Sequence, residues 1–183
     1  MAAGDTLNLT GVTFTGGSLT VAAGATLDLD NATISGVVLS DSGAVVNVIG
    51  DSTIVGVDKI ISGVITVDTG HTLVVDQSLL VASVTNEGTG TNAGTVKVDS
   101  NTSSQFGGAG SISGGNLLNL GTINVIDPNS PANGTFTLSD VQFTNSGTVT
   151  VGDGTNNDAL TLSSTTVSNG GSITVEDLSL IHI

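Results

Sequence analysis

One seven-residue phrase, Asn-x-Gly-Thr/Ser-Val/Ile-x-Val, keeps returning in this chain and limits what it can fold into. It appears as Asn92-Ala93-Gly94-Thr95-Val96-Lys97-Val98 and Asn119-Leu120-Gly121-Thr122-Ile123-Asn124-Val125. It returns as Asn145-Ser146-Gly147-Thr148-Val149-Thr150-Val151 and Asn169-Gly170-Gly171-Ser172-Ile173-Thr174-Val175. The glycines at 94, 121, 147 and 171 are 27, 26 and 24 residues apart. A turn-plus-strand unit at that period is the signature of a solenoid, whose units cannot bury an apolar face alone.

The first half carries a related phrase, Gly-x-Thr-Leu-x-Leu/Val. It reads Gly4-Asp5-Thr6-Leu7-Asn8-Leu9, Gly24-Ala25-Thr26-Leu27-Asp28-Leu29 and the variant Gly43-Ala44-Val45-Val46-Asn47-Val48. Gly70-His71-Thr72-Leu73-Val74-Val75 follows, so the steps are 20, 19 and 27, and the last implies a longer loop near Asp58-Lys59. Between these phrases run stretches of four to six residues with period-two alternation, such as Ser18-Leu19-Thr20-Val21, broken by Gly, Asn or Asp. Apolar residues nowhere recur at helical spacing, so helix content should be close to nil.

The predicted fold is all-β, a single-stranded parallel β-helix with coils of about 19–27 residues. Immunoglobulin-like units need about a hundred residues and a buried aromatic. The chain has four Phe and no Trp, Tyr or Cys. Burial therefore falls on Val, Ile, Leu and Ala, which fit a narrow coil interior. Its 26 glycines among 183 residues exceed the average share of about 7%, yet Gly-x-y periodicity is missing, which argues against collagen. Gly and Asn at corners tolerate positive φ. Asn at one coil position can also stack into a hydrogen-bonded ladder.

We divide the chain into residues 1–80, with the Gly-x-Thr-Leu repeats, and 81–177, with the Asn-x-Gly-Thr repeats, both in one solenoid. Inserts are expected at residues 85–92, 98–115, 127–134 and 152–158. The last six residues, Leu178-Ser179-Leu180-Ile181-His182-Ile183, break the composition of everything before them. They match the in-frame translation of a transposon-library adapter end, so residues 178–183 are read as non-native. Met1-Ala2-Ala3-Gly4-Asp5 lacks the charged and apolar regions of a secretory signal, and the chain reads as a fragment of a longer repetitive protein.

Charge removes whole classes of partner. Sixteen acidic residues against Lys59 and Lys97, with no Arg, give a formal charge of −14. Such a chain cannot neutralise a row of phosphates or an anionic membrane surface, so nucleic acid and acidic lipid are excluded. No apolar run approaches eighteen residues, so no helix of this segment is expected to enter a membrane.

Sites of chemistry are sparse. Residues 107–115 are glycine-rich, but without a following helix or a Lys-Ser/Thr pair they read as a coil corner. Asp153, Asn156 and Asp158 gather oxygen ligands as a calcium loop does. They have neither EF-hand spacing nor the calcium nonapeptide, so a solvated turn stands as the other reading; no further cofactor is expected. Asp127-Pro128-Asn129-Ser130 is a weaker version of the same pattern. A polysaccharide-cleaving β-helix would need clustered Asp with Arg, Lys or His. Here Arg is absent and His71 sits inside a repeat phrase, facing solvent beside Thr72. No Gly-x-Ser-x-Gly elbow occurs, and the chain is read as non-enzymatic. Thr13-Phe14-Thr15, Thr135-Phe136-Thr137 and Thr148-Val149-Thr150 resemble the hydroxyl arrays of ice-binding faces, but they are too sporadic for that function. Three Asn-x-Thr sequons, at Asn8, Asn31 and Asn133, are read as coincidental.

Over nearly residues 4–177 the two phrases resemble the β-strand repeats of very large secreted bacterial proteins, the adhesins and autotransporter passengers. The resemblance implies a structural or adhesive repeat segment at the bacterial cell surface or outside the cell. Its expected partners are host or environmental glycans, other cell-surface molecules and flanking repeats of the same chain. The alternative is a fragment of a carbohydrate-active β-helix, pectin lyase-like, whose catalytic coils lie elsewhere. The resemblance carries no catalytic residues over to this sequence.

Overall fold

The computed structural model describes residues 1–41, 44–56, 60–61, 64–80, 83–88, 93–107, 110–126, 134–176 and 180–183. Among them are 25 strands and no helix. The first coil is built from β1 (Thr6–Thr10), β2 (Thr13–Thr15) and β3 (Ser18–Val21), and the order repeats through to β25 (Leu180–His182). Each strand pairs, always in parallel, with strands of the neighbouring coils, giving three sheets of nine, eight and eight strands. This is the expected parallel β-solenoid.

Strand pairing fixes the coil lengths. On the first sheet the register runs from Thr6 to Thr26, Val45, Val64 and Ser83, in steps of 20, 19, 19 and 19 residues. It continues to Ser111, Thr137, Thr161 and His182, in steps of 28, 26, 24 and 21. The longest step exceeds the expected range by one residue.

Alternation explains the packing. In Thr26–Asp30, Leu27 and Leu29 point inward and are fully buried, while Thr26, Asp28 and Asp30 face out. Most parallel sheets are covered on both faces and lose this pattern; here the outer face is wet, so the period of two survives. Stacked coils place like on like, as in the inward column Leu7, Leu27, Val46, Ile65 and Val84. Burying one such side chain is worth about 1.5–3 kcal/mol. Phe106, Phe136 and Phe143 are fully buried in the wider second half, with the Phe106 and Phe136 rings 4.8 Å apart.

Two repeat spacings mean something other than what the sequence implied. Gly70 to Val75 does not follow a long loop in the first sheet. Val64–Val67 fills that place after an ordinary 19-residue step, and the phrase has moved to Thr72–Asp76 on the second sheet. The Gly94 copy has slipped likewise. Thr95–Val98 lies on the second sheet against Asn116–Asn119, whereas Thr122–Val125, Thr148–Val151 and Ser172–Val175 form the third. The phrase encodes a corner and a strand start, which any of the three sheets can use.

Residues 98–115 are not an insert either. They contain Ser103–Phe106 on the third sheet and Ser111–Ser113 on the first, so the described glycines 107, 110, 114 and 115 flank a strand on its two sides. The connection after Asn86 is closed by Gly94 N donating to Glu87 O at 2.7 Å. Residues 127–133, including Asp127-Pro128-Asn129-Ser130, lie outside the described residues, as do Asp58, Lys59 and Asn92. Residues 152–158 do connect the third sheet to the first.

The ladder crosses from residues 1–80 into 81–177 without a break, Leu80 pairing with Ile60 on one side and Phe106 on the other. Leu180–His182 adds a strand to Ala159–Thr161. Such pairing asks only for extended backbone and one inward apolar residue, here Ile181 against the core, whatever the origin of the sequence.

Glycine is required where coils approach closely. A Cβ on Gly147 would press into the carbonyl oxygen of Gly121, and one on Gly171 into that of Gly147. Gly36 has φ +59 but open space around it. Gly147→Ala should therefore cost about 2–3 kcal/mol through backbone displacement, and Gly36→Ala about 1 kcal/mol through the left-handed φ alone. Denaturant midpoints of the two variants check this order.

Candidate functional site

Most described acidic residues sit between strands: Asp5, Asp51, Asp68, Glu87, Asp99, Asp140, Asp153, Asp158 and Glu176. Asp28 and Asp30 face outward from the first sheet. Asp76 ends its strand, buried, with Oδ1 accepting from Asp99 N and Thr102 Oγ1 at 2.9 Å each. The sheet faces are thus largely uncharged. On the third sheet one outward column reads Ser103, Thr122, Thr148 and Ser172, and the next Gln105, Asn124, Thr150 and Thr174. Neighbours bond along and across these columns: Ser172 Oγ donates to Thr148 Oγ1 in the same column at 3.3 Å, and Asn124 Nδ2 reaches across to Ser103 Oγ at 3.1 Å. The three Thr-x-Thr pairs stand on three different sheets, Thr13–Thr15 on the second, Thr135–Ser139 on the first and Thr148–Val151 on the third. They do not form one array.

The candidate calcium ligands divide into two environments. Asp153 is exposed, and its Oδ1 accepts from Thr155 N at 2.9 Å and Thr155 Oγ1 at 2.6 Å. Asn156 Nδ2 donates to the same Thr155 Oγ1 at 3.2 Å. The hydroxyl and amide of Thr155 hold the Asp153 carboxyl below the ordinary carboxylate value. Asp158 is instead buried, 1% exposed, with Oδ1 accepting from Gly134 N at 2.7 Å and Oδ2 without a partner. Its backbone oxygen accepts from Leu180 N. So Asp153 and Asn156 build a local turn through Thr155, while Asp158 bonds back to the preceding coil. Among the described residues no three Asp, Glu, His or Cys side chains form a group that could hold a metal.

His71 is half-buried beside exposed Asp51, Nδ1 to Oδ1 3.9 Å, and Asp51 Oδ1 also accepts from Thr72 N at 2.8 Å. Lys97 pairs with Asp99 on the surface, where such pairs contribute about 0–1 kcal/mol. A small apolar void beside Phe106, Phe136 and Phe143 lies in the core, with no polar group lining it. No described helix is long and apolar enough to cross a membrane.

The best-built polar feature is an amide ladder. Asn119, Asn145 and Asn169 end paired strands of the second sheet, at consecutive positions of one inward column. Asn119 Nδ2 donates to Asn145 Oδ1 at 2.7 Å, and Asn145 Nδ2 to Asn169 Oδ1 at 2.8 Å. Each also donates to a carbonyl one coil on, Asn119 to Thr148 O and Asn145 to Ser172 O, both at 3.0 Å. These are the asparagines that open three of the four phrase copies. The column below holds Phe14, Ile34, Ile54, Val75 and Val98 instead. Sequence reasoning missed the buried role of Asp158 and the serines that tie corners, such as Ser52, whose Oγ donates to Gly50 O and accepts from Ala32 N. A hydroxyl at a strand start, where inward apolar residues are due, was the available signal.

Comparison with protein-family models, with curated proteins and with solved structures finds no match for this chain.

Asn145→Ala removes the acceptor of Asn119 and the donors to Asn169 and Ser172, and should cost about 2–4 kcal/mol in chemical denaturation. For Asp153, a depressed folded pKa means that its contribution is present above the unfolded value. That contribution fades as pH falls through the lower folded value. An NMR titration should place Asp153 below a typical exposed Asp, and Thr155→Ala should move it up towards that value.

Proposed function

We propose that this chain is a structural and adhesive repeat segment of a large bacterial cell-surface or secreted protein. The observation that carries the reading is the set of uncharged hydroxyl and amide columns on the third sheet, repeated in register from coil to coil. A sugar surface offers repeated hydroxyls and few charges, and pairs with such columns through many weak hydrogen bonds. Repetition then supplies avidity, because each added coil converts a further contact into an intramolecular one. Acidic groups at the corners keep the segment soluble and repel other anionic chains. On this reading the location is extracellular or at the cell surface, neighbouring repeats of the same protein are the structural partners, and the segment performs no catalysis. Calcium at Asp153 and Asn156 is an accessory at most.

The test is a glycan array and a cell-adhesion assay on the full chain as one and two tandem copies. Retention on neutral glycans should rise more than twofold with the second copy. Thr148→Glu with Thr150→Glu, placing two carboxylates on the third sheet, should weaken it. Absence of glycan and cell binding in both formats overturns the adhesive part. Release of new sugar chain ends from a polysaccharide would instead favour a carbohydrate-active β-helix.

A further inference from the structure

We propose that the open edge of the last coil is a docking surface keyed for one partner, a further coil of the Asn-x-Gly-Thr/Ser class, read through the amide of Asn169. The ladder has a direction. Asn119 and Asn145 each give both side-chain hydrogens to the coil ahead, one to an asparagine oxygen and one to a backbone carbonyl. Its lower end is closed, because Asn119 Oδ1 accepts from Gly121 N at 3.2 Å and Val98 stands beneath. Its upper end is not. Asn169 accepts from Asn145, but its own amide donates to no described residue.

The strands around that amide are open in the same sense. Among the described residues, Thr166–Asn169 and Ser172–Val175 are the last strands of the second and third sheets and are paired on one side only. Val167 and Val175, which continue buried columns, are 38% and 44% exposed. Unpaired backbone groups beside exposed valines make a strand-adding surface. The amide decides which strand is added. An incoming coil must present an acceptor in the asparagine column and a carbonyl at the start of its third-sheet strand. It must also carry glycine above Gly171, since a Cβ there would press into that residue's carbonyl as one on Gly171 would into Gly147. Asn-x-Gly-Thr/Ser meets these demands together.

A second copy of this chain does not. Its complementary edge is the first coil, where Phe14 occupies the asparagine column. The corner after Phe14 turns through Gly16 and Gly17, both left-handed, and is one residue longer than that between Asn119 and Ile123. A phenyl ring would face the Asn169 amide and leave it unpaired, at a cost. The partner is therefore a neighbouring repeat. That source rests on the proposed function, whereas the hydrogen-bond code does not.

The test lengthens the full chain with a duplicate of residues 153–176 placed directly after Glu176. Proton exchange of the Asn169 side-chain amide, read by NMR, should slow by about tenfold or more against the unextended chain, and the thermal midpoint should rise. A duplicate with Val in place of its own Asn is the control, because Val98 shows that the column accepts valine. This control keeps the strand-start carbonyl but lacks the column acceptor, so it should leave one of the two Asn169 amide protons in fast exchange. Equal slowing by both duplicates, or by neither, overturns the code. Concentration-dependent protection of Asn169 in the unextended chain would overturn the rejection of a second copy. Failure of glycan binding leaves all these readouts unchanged, so the two proposals fail separately.

Discussion

The parallel, in-register hydrogen bonding of each coil to the next is the constraint on which everything else here depends. Once Thr6 is set over Thr26 and Thr26 over Val45, every side chain has a fixed neighbour about 4.8 Å above and below. A residue is then selected less by its own propensity than by its column. Inward columns must be apolar or able to bond to copies of themselves. Columns at corners must allow left-handed backbone, which Gly11, Asn31, Asp140 and Ser164 do after strands of the first sheet. A one-residue slip would invert the faces of a whole strand, so insertions are confined to connections.

The second half of the chain shows what happens when a column changes chemistry. Phe14, Ile34, Ile54, Val75 and Val98 hold one position by burial, and Asn119, Asn145 and Asn169 hold it by amide bonds. A lone buried amide would be costly. Stacked, each satisfies the next, and the benefit grows with the number of consecutive coils that keep it. Asn86 marks the limit of the device. It donates to Gly114 O and Asn116 O one coil on, but no second asparagine lies above it, and its Oδ1 is buried without a partner. Asparagine in a solenoid core is stabilising as a series and marginal as a single.

The fold was legible because alternation and corner residues are local signals, and here each coil repeats them. Boundaries between faces were less so. The phrase at Gly70 and at Gly94 looked in phase with its other copies, yet stands on a different sheet. Nothing in Gly-x-Thr-Leu says which of three equivalent faces it starts; only pairing with the previous coil does. The acid-rich turn at 153–158 was readable as a cluster of oxygens, but not as two opposed environments. Whether Asp158 turns outward beside Asp153 or inward to Gly134 N depends on the coil before it, which is remote in sequence.

Column geometry also explains where the charge lies. Two carboxylates stacked in adjacent coils would repel by about 1–3 kcal/mol at that separation, depending on the local dielectric. With two lysines against sixteen acids, the chain lacks cations to offset such contacts. The first sheet shows the solution where an acid does occupy a face: Asp28 lies between Asn8 and Asn47, and Asn47 Nδ2 donates to its Oδ1 at 2.8 Å. Asp30, facing out from the same sheet, accepts from Asn31 Nδ2 at 2.7 Å, and most of the other described acids lie at corners, whose lengths vary from coil to coil. A strongly acidic solenoid built this way acquires uncharged, hydroxyl-rich faces as a consequence of stacking. Any neutral ligand of those faces would use a surface that like-charge repulsion had already cleared.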